Sequence, residues 1–212
     1  MKPYHKIDTI FKREHSNGKL IVGDWSKPEF EYLKDNIWTF DEKVDGTNIR
    51  VGWDDDNGIP FSIKGRTENA QIPAFLNEAL VKLFDEEKLR KLFPDAKELC
   101  LYGEGYGRKI QKVGSLYIPD GNCFCLFDIR VGNWWLLRKD VEQIGESLGL
   151  KIAPIVGEGT LQDSITFVQS DPKSTWGDFI MEGLILRPKV PLTMRSGERV
   201  ITKIKVRDYK DL

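Results

Sequence analysis

Two runs suited to β-structure, Ile37-Trp38-Thr39-Phe40 and Ile49-Arg50-Val51-Gly52-Trp53, enclose the polar stretch Glu42-Lys43-Val44-Asp45-Gly46-Thr47-Asn48. Asp-Gly between strand-like residues is a hairpin signal. The pattern therefore predicts a strand over 37–43, a turn at Asp45-Gly46 and a strand over 47–53. A lysine fixed between strands, with a carboxylate two residues on, is poorly used as a solubilising charge. It suits a nucleophile, which needs a depressed pKa, a pocket, and neighbouring cations or a metal.

The strand pattern continues downstream. Asp54-Asp55-Asp56-Asn57-Gly58 reads as a second hairpin tip, not a metal cluster, leading into a strand over 59–64. Helical periodicity follows from Pro73 to Phe93, with Phe75, Leu76, Ala79, Leu80, Leu83 and Phe84 as one apolar stripe and a second short helix over 85–92. Strands are predicted again over 98–103 and 122–131. A helix over 139–148 ends at Gly149, and a short helix lies near 161–169. Two strong strands close the chain, over 183–187 and 200–206. The first 36 residues show only turn signals at Gly18 and Gly23. Strands with irregularly interspersed helices and no βαβ alternation predict an α+β fold with largely antiparallel sheets. No linker or low-complexity stretch interrupts residues 1–212, so a single domain is expected.

Charge and cysteine usage narrow the function. With 32 basic and 33 acidic residues the formal charge is −1, which argues against coating nucleic acid non-specifically. A local basic groove stays open, and Arg108, Lys109, Lys112, Arg187, Lys189, Arg195 and Arg199 are candidates to line one. Cys123 and Cys125 alternate with Phe124 and Leu126, as small core fillers in a reducing compartment would. No apolar run reaches the roughly 20 residues of a membrane span, so a cytoplasmic protein is expected. Trp134-Trp135 reads as core packing or the hairpin after Gly132.

Four segments carry charge where strands should be apolar: Lys43 with Asp45, Glu104 in Leu101-Tyr102-Gly103-Glu104-Gly105, Glu182 before Gly183-Leu184-Ile185-Leu186-Arg187, and Lys203 with Lys205. Each alone has an ordinary explanation as a turn or the wet face of an edge strand. In this order they resemble the covalent nucleotidyltransferase superfamily of polynucleotide ligases and mRNA capping enzymes, whose lysine motif is Lys-x-Asp-Gly. The stretches Glu42 to Asn48 and Gly65-Arg66-Thr67-Glu68-Asn69-Ala70-Gln71-Ile72-Pro73 resemble the ATP-dependent RNA ligases typified by the second RNA ligase of phage T4. Phe127-Asp128-Ile129 resembles the aromatic motif of that branch. The likeness runs from about residue 37 to 206.

The resemblance implies a nucleotidyltransferase (ATP-grasp-like) fold and a three-step reaction. Lys43 takes AMP from ATP, AMP passes to a 5′-phosphate end, and a 3′-hydroxyl displaces it. Lys203, Lys205 and Mg²⁺ or Mn²⁺ would disfavour the ammonium form of Lys43, whose ordinary pKa is about 10.4. They would also stabilise charge growing on the α-phosphate. Glu104 and Glu182 are implied to hold metal waters or ribose hydroxyls, and Asp45 to position Lys43. Arg66 is implied to contact ribose or phosphates, Phe127 to stack on adenine, and the Glu42 backbone to read its edge. Asn48 is a further ribose or phosphate candidate. The implied partner is nucleic acid with 5′-phosphate and 3′-hydroxyl ends, RNA in the first instance. A DNA-end ligase, a capping-type guanylyltransferase and a non-catalytic nucleic-acid binding module are the alternatives. Only Val206–Leu212 follow the final lysine pair, so no C-terminal accessory domain is expected, and a protein partner in its place is left open.

Overall fold

A computed structural model describes residues 1–209. Lys210, Asp211 and Leu212, the end of the tail after the lysine pair, lie outside the described residues. Along the first half of the chain come β1 (Asp8–Thr9), β2 (Phe11–Arg13), β3 (Leu20–Trp25), α1 (Pro28–Tyr32), β4 (Trp38–Glu42), β5 (Thr47–Asp54), β6 (Ile59–Gly65), α2 (Ala74–Leu83) and α3 (Glu86–Leu92). Then follow β7 (Glu98–Gly107), α4 (Gly114–Tyr117), β8 (Asn122–Val131), β9 (Trp134–Trp135), α5 (Arg138–Leu148), β10 (Lys151–Ile152), β11 (Ile155–Gly159), α6 (Leu161–Gln169), β12 (Gly183–Pro188) and β13 (Thr202–Lys205). They form two compact units. The first contains Met1–His5 and Asp45–Ala153; the second contains Lys6–Val44 and the chain from Pro154 on.

The first unit is a sheet of order β10-β8-β7-β5-β6, with β9 beside β8. Of these pairings only β10 with β8 is parallel. Alternation on β5, β7 and β8 sends Ile49, Val51, Leu99, Leu101, Phe124 and Leu126 into one core with Leu76, Leu80 and Leu89 from α2 and α3. Side chains of this size each stabilise the fold by about 1.5–3 kcal/mol when fully buried. A β-bulge then changes the phase of β8. Tyr102 pairs with Asp128 but Gly103 with Leu126, so Phe127 is the extra residue. A bulge re-aims the side chains that follow it. Here Ile129 returns to the core, while Asp128 accepts from the Tyr4 hydroxyl and Arg130 binds Glu98 at 3.0 Å.

The second unit is a sheet of order β1-β13-β12-β4-β11, with a separate β2–β3 ribbon. Only β1 with β13 is parallel. Trp38, Phe40, Leu184, Leu186 and Ile204 pack on Leu161, Ile165 and Val168 of α6. That helix starts with a capping box between Thr160 and Asp163, which satisfies two otherwise unpaired N–H groups.

The α+β architecture with largely antiparallel sheets is as expected, and so are the hairpin of β5 with β6 and the helices over 74–92, 138–148 and 161–169. Trp134-Trp135 forms the short hairpin strand after Gly132. The three cysteines are free, and burial pushes the Cys100 thiol up to about 12, as suits packing residues. Among the described residues no helix is long and apolar enough to cross a membrane.

The first hairpin is a correction. β4 pairs with β11 and β12, whereas β5 pairs with β6 and β7. The tight two-residue turn favoured in hairpins needs positive φ at its central residues, and neither Asp45 nor Gly46 has it. Gly46 is required for space instead, since an added Cβ would lie 2.4 Å from the Gly105 carbonyl oxygen. Phe75, expected in the buried stripe of α2, is 38% exposed. The first 36 residues also hold more structure than their turn signals suggested, namely β1, β2, β3 and α1.

Candidate active site

The second unit brings together the end of β4, the start of β12 and the end of β13. On β4, Trp38, Phe40 and Glu42 share the core-facing side, and strand alternation puts Thr39, Asp41 and Lys43 on the other. Lys43 extends the ladder, because its N–H donates to the Gly183 carbonyl at 2.9 Å. Its Nζ lies 2.5 Å from Oε2 of Glu182, and Lys205 Nζ lies 2.6 Å from Oε1 of the same carboxylate. All three side chains are mostly buried, with Glu182 only 13% exposed. Burial pushes the Glu182 carboxyl upward. The Lys43 charge and hydrogen bonds from Lys205 and Lys43 outweigh it and hold the group below the ordinary glutamate value. Lys203 and Lys205 occupy alternate positions of β13, with Ile204 buried between them and Thr202 buried before them. They share one face, as the alternation predicted.

Glu42 is 1% exposed and satisfied within the same unit. Its carboxylate accepts from the Ser174 hydroxyl at 2.5 Å, the Thr175 N–H at 2.9 Å and the Thr175 hydroxyl at 2.7 Å. Its N–H donates to the Pro154 carbonyl. Asp41, also buried, pairs with Arg187.

The first unit carries Asp45, Asn48, Glu104, Arg66 and Phe127. Asn48 and Glu104 stand opposite each other across the β5–β7 ladder. Among the described residues Asn48 Oδ1 is buried without a hydrogen-bond donor, a costly state for an acceptor, about 1–3 kcal/mol. Arg66 is exposed in the bend after β6, and among the described residues it makes no ion pair. Phe127 is half-buried at the bulge, edge-on to Tyr4 with ring centroids 5.0 Å apart. Of the seven basic residues proposed for a groove, Arg187 is held by Asp41, Arg108 by Asp120 and Lys189 by Glu158.

The family model for RNA ligase matches residues 36–205. The chain belongs to the RNA ligase family. No curated protein sequence matches it significantly. Among solved structures, a mutant Naegleria gruberi RNA ligase with ATP and Mn is 20% identical with a TM-score of 0.68, over 100% of this chain and 57% of that one. A second mutant of that enzyme with ATP and Mn is 21% identical with a TM-score of 0.63, over 84% of this chain and 52% of that one. A third, with AMP and Mn, is 20% identical with a TM-score of 0.63, over 100% and 65%. These likenesses carry the fold. The chain spans between half and two thirds of the ligase structures it resembles.

Two buried charged residues close to the candidate positions in sequence escaped the sequence reading. Arg50, fully buried in mid-strand, donates to the Gly65 carbonyl at 2.9 Å and to Glu68 at 3.0 Å. It thereby anchors the bend that carries Arg66. The signal was present as a cation between Ile49 and Val51, where alternation allows either a wet face or a buried network. Asp41 was the other, and its two-residue offset from Lys43 was the available clue.

Proposed function

We propose that this chain is an ATP-dependent RNA ligase domain that carries AMP on Lys43 and passes it to a 5′-phosphate end for joining to a 3′-hydroxyl. The supporting observation is the Lys43–Glu182–Lys205 cluster at a strand end, in a chain of the RNA ligase family. In the first step the neutral Lys43 amine attacks the α-phosphorus of ATP. A P–N bond forms, the bond to the bridging oxygen breaks, and pyrophosphate leaves. The 5′-phosphate oxygen then displaces the lysine. Finally the 3′-oxygen attacks the 5′-phosphorus and AMP departs.

A carboxylate 2.5 Å from Lys43 favours an ammonium partner, so attack requires the amine to leave Glu182 and lose a proton. Incoming phosphates compete with Glu182 for Lys205, and Lys205 and Lys203 then stabilise charge on the α-phosphate. Arg66, fork-shaped and exposed, is suited to phosphate or ribose, and Phe127 to stacking on adenine. Asp45 positions the turn. Glu104 in the first unit and Glu182 in the second are each candidates to hold the waters of a divalent metal, since Mg²⁺ keeps several waters and few carboxylates. The unsatisfied Asn48 acceptor opposite Glu104 fits such a water or a ribose hydroxyl. When bound, the metal would supply Lewis-acid charge neutralisation at the phosphates. We treat the two units as one nucleotidyltransferase domain and its setting as the cytoplasm, in keeping with three free cysteines.

Incubation with α-labelled ATP and Mn²⁺ should label the wild type and leave Lys43→Ala unlabelled. A folded, metal-supplied wild type that never labels ends this reading, and labelling by GTP alone would favour a capping-type guanylyltransferase. Sealing assays on 5′-phosphate RNA and DNA ends then decide the substrate. Label without sealing would direct the search to a protein partner.

A further inference from the structure

The turn that follows Lys43 is gripped by one contiguous segment. Gly46 lies against the end of β7, where an added Cβ would meet the Gly105 carbonyl oxygen at 2.4 Å and Glu104 Cγ at 2.6 Å. From the loop after β7, the Gln111 side-chain amide donates to the Gly46 carbonyl at 2.9 Å. The Asp45 N–H in turn donates to the Tyr117 hydroxyl oxygen at 3.1 Å. Backbone groups of two consecutive turn residues are thus held by one connection, the loop after β7 with α4 at its end.

That loop is itself constrained. Lys109 and Gln111 have φ of 67° and 53°, a region that costs non-glycine residues about 1–3 kcal/mol each and persists only where the surroundings enforce it. The enforcing contacts are visible. The Ile110 N–H donates to the Gly107 carbonyl at 3.0 Å, and Arg108 N–H to the Gly121 carbonyl at 2.9 Å. The Asn122 amide donates to the Arg108 carbonyl at 2.8 Å. Gly114 packs so tightly that an added Cβ would stand 2.0 Å from the Gly107 carbonyl oxygen. Ile110 and Tyr117 are buried anchors. Joining two antiparallel neighbours requires only a short loop, so strain of this kind goes beyond connecting β7 to β8.

We infer that Gln111 and Tyr117 are positioning residues for AMP transfer onto Lys43. They fix the peptide planes at Asp45 and Gly46, and with them the course of the chain leaving the nucleophile. The inference rests on the reading of Lys43 as the AMP acceptor. Neither side chain has to touch ATP for this role. A positioning defect lowers the rate of attack and spares nucleotide binding, because small misplacements act on near-attack geometry.

The test is single-turnover labelling of the full chain with α-labelled ATP and Mn²⁺, for wild type, Gln111→Glu, Gln111→Ala and Tyr117→Phe. Each variant should lose about threefold to tenfold in limiting rate, the worth of one hydrogen bond. The ATP concentration for half-maximal rate should stay within about twofold, since uniform binding is untouched. The double variant Gln111→Glu/Tyr117→Phe should lose less than the product of the single losses, as two holds on one turn would. Amide hydrogen exchange supplies a readout independent of catalysis: the peptide spanning Gly46 and Thr47 should exchange faster in the variants, and distant peptides should not. Wild-type labelling rates in all variants overturn the inference. So does a loss confined to sealing of a pre-adenylylated RNA end, which would make the loop a nucleic-acid contact. A rate loss with general exchange and a lower melting temperature also overturns it, as a merely structural loop. A wild type that never labels removes the AMP-acceptor reading and with it the catalytic role, whereas the exchange arm separately tests the grip.

Discussion

The candidate residues of the two units stand in different electrostatic conditions, each described within its own unit. In the second unit, Lys43, Glu182 and Lys205 satisfy one another at 2.5 and 2.6 Å, and the neighbouring Glu42 has three donors of its own. In the first unit, Asn48 holds a buried acceptor without a donor, and Arg66 extends an exposed guanidinium. One set is held in mutual ion pairs; the other presents a buried acceptor and an exposed cation. Under the proposed reaction, which binds a polyanion and then uses a lysine as a nucleophile, each condition has a use. A mutual ion-pair cluster keeps two buried cations tolerable without ligand, because a lone buried charge is costly. Under the same proposal, an open acceptor and an open fork would gain their partners from the ligand.

The contrast predicts where substitutions fall. Lys205→Ala removes a cation from the ion-paired cluster, beside which charge would develop on the α-phosphate. Labelling of Lys43 should slow by about 10²- to 10³-fold, the usual cost of losing one such stabilising group, with the melting temperature moving far less. Quench-flow or slow-time-course labelling at saturating ATP measures this. A loss of only a few-fold would place the chemistry's main cationic support elsewhere and undo the contrast between the two sets.

A second prediction separates stability from catalysis. The Glu182 carboxyl is held below the ordinary glutamate value of 4.5 by Lys43 and Lys205 against its burial. A depressed folded-state pKa adds stability that is present above 4.5 and disappears as pH falls through the lower folded value. Wild type should therefore be more stable than Glu182→Gln at pH 7, by about 1–3 kcal/mol for a mostly buried pair. The gap should narrow as the medium is acidified below pH 4.5. Denaturant titrations of both proteins across that range provide the check, and a gap independent of pH would mean that the cluster is not ionised as drawn.

How much of this could be read in the sequence depends on whether the cause was local. The alternation of Lys203 and Lys205 around Ile204, the stop of α5 at Gly149 and the hairpin tip at Asp54–Gly58 all follow from rules spanning a few residues. The Lys-x-Asp-Gly stretch gave the nucleophile candidate in the same way. Its turn was misjudged because Asp-Gly carries a hairpin signal whatever its φ, whereas here Gly46 is needed for its closeness to Gly105. Phe127 was found by resemblance, but its placement depends on a bulge set by the partner strand β7. The Glu42 clamp joins residues over 130 positions apart, and the contact of Arg50 with Glu68 depends on where the bend after β6 folds back. Such partners are chosen by tertiary structure, and no local window contains them.

The smallest predicted effect tests the buried acceptor of the first unit directly. Asn48→Ala deletes an acceptor that, without ligand, has no donor. Removing an unsatisfied buried polar atom relieves a penalty, although the lost side-chain volume opposes the gain. The two terms are of similar size, so the ligand-free variant should melt within about 1 kcal/mol of wild type. The same substitution should weaken the stabilisation conferred by Mn²⁺ with a non-hydrolysable ATP analogue, because the stability that ligand binding adds grows with the logarithm of its affinity. Thermal melts with and without the analogue measure both quantities together. If Asn48→Ala costs as much without ligand as Glu182→Gln does, that acceptor is already satisfied internally, and the contrast between the two units dissolves.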